Sequence, residues 1–175
     1  MKNTVVGVVM GSDSDLSIVK GALEIFEHFD VSYEVLILSA HRTPDDATEY
    51  AKSLVERGIK VVIAAAGGAA HLAGVIAAHT PLPIIGIPIK TSTLNGVDSL
   101  YSIVQMPPGV PVATVGINAA KNAGLLAVEM LALENGELQK QLISYKKTQA
   151  DSVIQKSKKL QKIGYREYLN VMEKK

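Results

Sequence analysis

The segment Ser39-Ala40-His41-Arg42-Thr43-Pro44 puts a hydroxyl, a proton carrier and a permanent cation side by side. Histidine changes charge near neutral pH, and arginine offers a rigid fork of donors suited to phosphate. Together they are equipped to hold a phosphorylated molecule and move a proton on it.

Three more segments carry related chemistry. Gly11-Ser12-Asp13-Ser14-Asp15 is a glycine turn with two hydroxyls at a helix start, where free N–H groups and the helix dipole favour an anion. Alone, the turn reads as a helix cap. Beside Arg42 it becomes a monophosphate site, with Asp15 suited to the donor hydroxyls of a ribose. Gly67-Gly68-Ala69-Ala70-His71 offers backbone amides in a tight apolar pocket fit for a planar ring, a carboxylate or carbon dioxide. Pro88 to Gly96 is the fourth segment.

The histidines sort by neighbourhood. His28 lies on a polar helix flank and reads as a surface residue, and His79 reads as a helix cap. His71 suits a bond to a neighbouring carbonyl as well as it suits the site, and its spacing does not separate the two. His41, between Ser39 and Arg42, is the candidate acid–base residue. No metal site is expected: no two histidines stand four apart, no His-Glu-x-x-His occurs and the chain has no cysteine. The missing cysteines also exclude thiol nucleophiles and iron–sulfur clusters.

The four segments need a scaffold that brings them to one edge. Apolar runs at Thr4–Met10, Ser32–Leu38, Val61–Ala66, Pro83–Ile87 and Pro111–Val115 read as strands. Each is followed by a helical pattern. After the first come Leu16, Val19, Leu23 and Phe26; after the second, Ala47, Tyr50, Ala51, Leu54 and Val55, stopped by Gly58. Helices about Ala70–His79, Asp98–Gln105 and Asn118–Leu133 follow the others. Thr43 is the expected N-cap of the second helix, with Pro44 at its first position. Five strand–helix pairs linked by right-handed crossovers predict a three-layer, doubly wound parallel five-stranded sheet, flavodoxin-like, with the four segments at the carboxyl ends of its strands. Residues 1–135 form the expected α/β catalytic domain. Residues 136–175 read as a C-terminal helical tail that packs on a neighbouring subunit.

Composition narrows the function. A net charge of +1 implies no nucleic-acid face, and the lysines between Lys146 and Lys162 read as a solvated helix face. The N-terminus passes from Met1-Lys2-Asn3 straight into a strand, with no apolar stretch of signal-peptide length, so the expectation is a cytoplasmic protein without a membrane partner. With 47% apolar and only 20% charged residues, the chain has more apolar surface than a domain of 175 residues hides, which predicts a subunit interface. A flavin carrier would want stacking aromatics in these loops, and they hold no Trp, Tyr or Phe before Tyr101. A receiver domain would want an aspartate after the third strand, where Gly67-Gly68 stands.

Gly11-Ser-Asp-Ser-Asp15, Ser39-Ala-His-Arg-Thr-Pro44, Gly67-Gly-Ala-Ala-His-Leu72 and Gly96-Val-Asp-Ser-Leu-Tyr-Ser-Ile-Val-Gln-Met-Pro107, in this order, closely resemble the PurE family. The Gly-Gly-Ala-Ala-His-Leu loop and the Ser-Ile-Val-Gln-Met-Pro segment are similar to its bacterial class I. The resemblance implies a 5-(carboxyamino)imidazole ribonucleotide mutase of purine biosynthesis that needs no cofactor, whether metal, biotin or ATP, and assembles as a homo-octamer. It implies His41 as the acid–base residue and Ser12, Asp15 and Arg42 as contacts to the small-molecule ribonucleotide. Ser39, Gly67, Gly68, Ala70 and His71 complete the expected binding set. The competing reaction on the same ribonucleotide is the animal-type carboxylation with free carbon dioxide. Ala73 departs from a common proline of the family, and Asn118-Ala-Ala-Lys-Asn from a glycine-richer turn.

Overall fold

A computed structural model describes residues 4–173. The first unit holds β1 (Val6–Met10), α1 (Leu16–His28), β2 (Tyr33–Ile37), α2 (Pro44–Ser53), β3 (Val61–Gly67), α3 (Leu72–Ala78), β4 (Ile84–Ile89), α4 (Val97–Val104), β5 (Ala113–Thr114) and α5 (Ala120–Ala132). All strand pairs are parallel, in the order β2-β1-β3-β4-β5, as the doubly wound expectation requires. The chain moves one way from β1 to β2 and the other way from β3 onward. Right-handed crossovers therefore put α1 on one face and α2, α3 and α4 on the opposite one. Helix α5 packs on α1. The central strands β1, β3 and β4 are buried almost throughout, which explains their unbroken apolar runs.

Two strands differ from their sequence boundaries. Strand β5 is only two residues long, because Pro111 has no N–H to give the ladder. Strand β4 runs on through Pro88 to Ile89, which pairs with Gly67. Pro88 is tolerated because its missing N–H falls on the β5 side, where the ladder ends at Gly86 opposite Thr114 and Asn118 N–H donates to the Pro88 carbonyl at 2.8 Å. Helix α4 lies close on β4: a side chain at Gly86 would run into Ile103.

Leu16 and Val55, expected on buried helix faces, are 46% and 52% exposed. A 3-10 turn over Asp13–Asp15 delays α1 until Leu16, so that residue sits at its open end. Val55 lies past the end of α2 at Ser53.

The chain divides into two compact units between Glu134 and Asn135. The second unit is helical, α6 (Gly136–Glu173), made of two helices joined across a kink. Asn135 starts it, its Oδ1 accepting from Glu137 N–H at 3.1 Å and Leu138 N–H at 3.2 Å. Helical geometry breaks at Gly164 (φ 77°, ψ 161°). The apolar side chains Val153, Ile154, Leu160 and Leu169 of α6 are exposed. Among the described residues no helix is long and apolar enough to cross a membrane.

Candidate active site

The loops after β1, β2 and β3 and the end of β4 line an open-mouthed cavity of about 510 Å³. It sits at the point where the chain leaves β1 and β3 toward opposite faces, the crevice where open α/β sheets take ligands. Ser12, Asp15, Ser39, His41, Arg42, Gly67 and His71 all line it.

The β2 loop ties itself down. Thr43 occupies the N-cap position of α2, but its hydroxyl makes no capping bond. Instead Thr43 Oγ1 accepts from Ser39 N–H at 3.0 Å, and Thr43 N–H donates to the Ser39 carbonyl at 2.9 Å. The Ser39 hydroxyl accepts from the Arg42 backbone N–H at 3.1 Å and from Arg42 Nε at 3.4 Å. Arg42 Nη2 then donates to the Gly11 carbonyl at 2.6 Å. The guanidinium is thereby held across the end of β1, with donors of its five still uncommitted to these two partners.

His41 leaves that loop to meet His71, thirty residues later. His41 Nε2 and His71 Nδ1 lie 2.8 Å apart, and the rings meet edge-on at 77°. At that distance one nitrogen carries a hydrogen and the other offers its lone pair. His41 Nδ1 and His71 Nε2 are left outside that bond. Paired imidazoles of this kind have the chemistry to pass a proton.

The anion-holding amides expected in the two glycine loops are partly spent. In the β1 loop, Ser14 N–H turns back to Ser12 Oγ at 3.4 Å and Asp15 N–H to the Ser12 carbonyl at 3.2 Å. In the β3 loop, Gly68 N–H goes to Ser99 Oγ at 2.9 Å, while Ala70 and His71 N–H groups donate to the Gly68 and Ala69 carbonyls at 2.8 Å. Gly68 and Ala70 do not line the cavity; Ala70 is packed into the core, only 1% exposed. Hydroxyls, Arg42 and Lys90 are left to meet an anion. Among the described residues no group of three or more His, Asp or Glu is placed to hold a metal ion.

Asp15 is buried at the cavity wall, and that burial pushes its carboxyl above the usual range, against the opposing hydrogen bond from Ser14. Its folded pKa exceeds the unfolded one, so the fold binds the extra proton. Stability therefore falls as pH rises through the interval between the two values.

Three polar lining residues fall within the segments singled out from the sequence but outside the expected binding set: Ser14, Lys90 and Thr91. Ser14 Oγ lies 2.9 Å from Ser12 Oγ and 3.3 Å from Asp15 Oδ1. Lys90 and Thr91 reach the cavity because β4 does not stop at Pro88; the apolar pair Ile87 and Ile89 around the proline was the available signal. His79 ends α3, as expected of a cap, and His28 is exposed.

The fold and its cavity define a class: a flavodoxin-like α/β enzyme with its site at the strand ends. The chain belongs to the AIR carboxylase family, whose model matches residues 5–152. It is 58% identical over 168 residues to the N5-carboxyaminoimidazole ribonucleotide mutase of Thermotoga maritima, covering 96% of this chain and 98% of that protein. It is 56% identical to the phosphoribosylaminoimidazole carboxylase of Candida glabrata, but there 97% of this chain spans only 30% of the relative. The crystal structure of Treponema denticola PurE superposes with a TM-score of 0.82 at 28% identity, covering 90% of this chain and 98% of that one. The resemblance to PurE read from the four segments is borne out.

Proposed function

We propose that this chain is an N5-carboxyaminoimidazole ribonucleotide mutase, with His41 as its acid–base residue. The observation that carries the reading is the His41–His71 pair, 2.8 Å apart on the wall of a cavity that Arg42 also lines. Near-complete coverage of the Thermotoga mutase supports the reaction assignment, since the carboxylase name belongs to a protein of which this chain matches less than a third.

In this reading Arg42, Ser12 and Ser14 hold the 5′-phosphate and Asp15 accepts from the ribose hydroxyls. The substrate carries its carboxylate as a carbamate on the exocyclic nitrogen. His41 gives that nitrogen a proton, the nitrogen–carboxylate bond breaks, and carbon dioxide is released beside the ring. The aminoimidazole is then an enamine-like nucleophile at ring carbon 4. That carbon attacks the trapped carbon dioxide, and its hydrogen leaves as a proton to the histidine. One carboxylate moves from nitrogen to carbon and one proton moves back. Ala66, Gly67 and Ala69, with no polar side chain to compete for the gas, form the wall that keeps it close.

Isotopic labelling tests the assignment. Labelled carboxylate on the carbamate substrate is expected in the carbon-linked product with little dilution by unlabelled bicarbonate, because the cavity retains the gas until recapture. Extensive washout, with efficient turnover of aminoimidazole ribonucleotide plus bicarbonate, would instead make the enzyme a carboxylase.

The same reading includes a cytoplasmic homo-octamer, in which residues 136–175 pack on a neighbouring subunit. Val97, Tyr101 and Val104 line up at helical spacing along α4 and, with Leu94 in the turn before it, are exposed, which supports burial against other copies. Light scattering at micromolar concentration is expected to give a mass well above a dimer, and a monomer would contradict the assembly.

A further inference from the structure

Two polar side chains are buried among the described residues, Asp15 and Ser99. Asp15 belongs to the cavity wall. Ser99 is wholly inaccessible and sits on α4, a helix that contributes no residue to that wall.

Both bonds of the Ser99 hydroxyl leave the helix. A serine inside a helix ordinarily returns its hydroxyl to the carbonyl four residues back, as Ser102 does toward Asp98 at 2.8 Å. Ser99 instead accepts from Gly68 N–H at 2.9 Å and donates to the Ile89 carbonyl at 2.6 Å. Ser102 Oγ also lies 3.2 Å from the Gly68 carbonyl. Helix α4 thus grips both peptide groups that flank Gly68.

Gly68 has φ 67°, a backbone state strained for residues with a side chain. From that held glycine the chain turns tightly, through the Ala70-to-Gly68 and His71-to-Ala69 bonds already described, and His71 projects toward His41. The other Ser99 bond fixes the end of β4, the last residue before Lys90. The segments that Ser99 joins are therefore the ones that carry one ring of the pair and one wall of the cavity.

We propose that Ser99 is a positioning residue for the His41–His71 pair. Through Gly68 it fixes the backbone from which His71 projects, and with it the line along which the two ring nitrogens meet. The inference rests on the reading of that pair as the proton carrier.

The test compares Ser99→Ala, Ser99→Thr and Ser102→Ala with the wild-type chain. It measures kcat and KM for the carbamate ribonucleotide, and the ring-nitrogen NMR signals of His41 and His71 read from their carbon-bound protons. Ser99→Ala is expected to lower kcat by about ten- to a hundredfold with KM changed by less than about threefold, as misplaced reacting groups do. Its ring-nitrogen signals should move toward those of unpaired imidazoles. Ser99→Thr, which keeps the hydroxyl, should restore both readouts. Should Ser99→Ala fail to fold, Ser102→Ala carries the test, with the same signals moving in the same direction by less. Ring signals and kcat unchanged in a folded Ser99→Ala or in Ser102→Ala, with only thermal stability lowered, would overturn the proposal. Absence of carbamate turnover by the wild-type chain would overturn the mutase reading instead. The ring signals need no substrate and would still decide the role of Ser99.

Discussion

His41→Asn is expected to bind the ribonucleotide and keep its fold, yet lose about two to four orders of magnitude in turnover, the usual share of a general acid–base group. Asparagine is the informative replacement because it keeps a polar side chain at the site but has no group that takes up a proton. The variant therefore separates binding the ligand from carrying a proton. Steady-state turnover beside calorimetric ligand binding reads the two apart. Retention of more than a tenth of wild-type turnover would remove His41 from the chemistry, and a parallel loss of binding would make it a contact rather than a carrier.

Arg42→Ala is expected to weaken ribonucleotide binding by about 1.5–3 kcal/mol, the scale of a lost charge-assisted contact, while the dephosphorylated nucleoside loses little. The bonds of Arg42 to Gly11 and Ser39 add a second expectation. Lysine restores the charge but cannot bridge two partners with a planar fork, so Arg42→Lys should recover only part of the loss. Calorimetry with both ligands decides the matter. Equal losses for nucleotide and nucleoside would mean that Arg42 organises the loop without meeting the phosphate.

Much of this architecture was legible because buried parallel strands leave unbroken apolar runs, and a switch in chain direction puts their loops at one edge. What resisted was tertiary. His41 announced itself through its immediate neighbours Ser39 and Arg42, whereas His71 gains its meaning from a ring thirty residues away. The glycine loops suggested free amides, but Ser99, far along the sequence, claims that of Gly68, and tight turns consume those of Ala70 and His71. Pro88 read as a strand stop because its tolerance depends on how short β5 is. Leu16 and Val55 followed helical periodicity, but a 3-10 turn left Leu16 at the first residue of α1 and an early stop left Val55 beyond α2.

Strand β1 contributes no ring to the histidine pair, yet it lies between the two strands that do, pairing with β2 on one side and β3 on the other. It acts as a ruler. Its width sets two inter-strand spacings of about 4.8 Å each between the ends that launch His41 and His71. A slip of one residue in either pairing would displace a launching end by about 3.3 Å and turn alternate side chains to the wrong face. The rings would then stand beyond hydrogen-bond reach. During folding, β2 and β3 cannot present the pair until β1, the first strand made, has been joined on both edges. Return of activity should thus follow the last non-local pairing of the sheet rather than the formation of its helices.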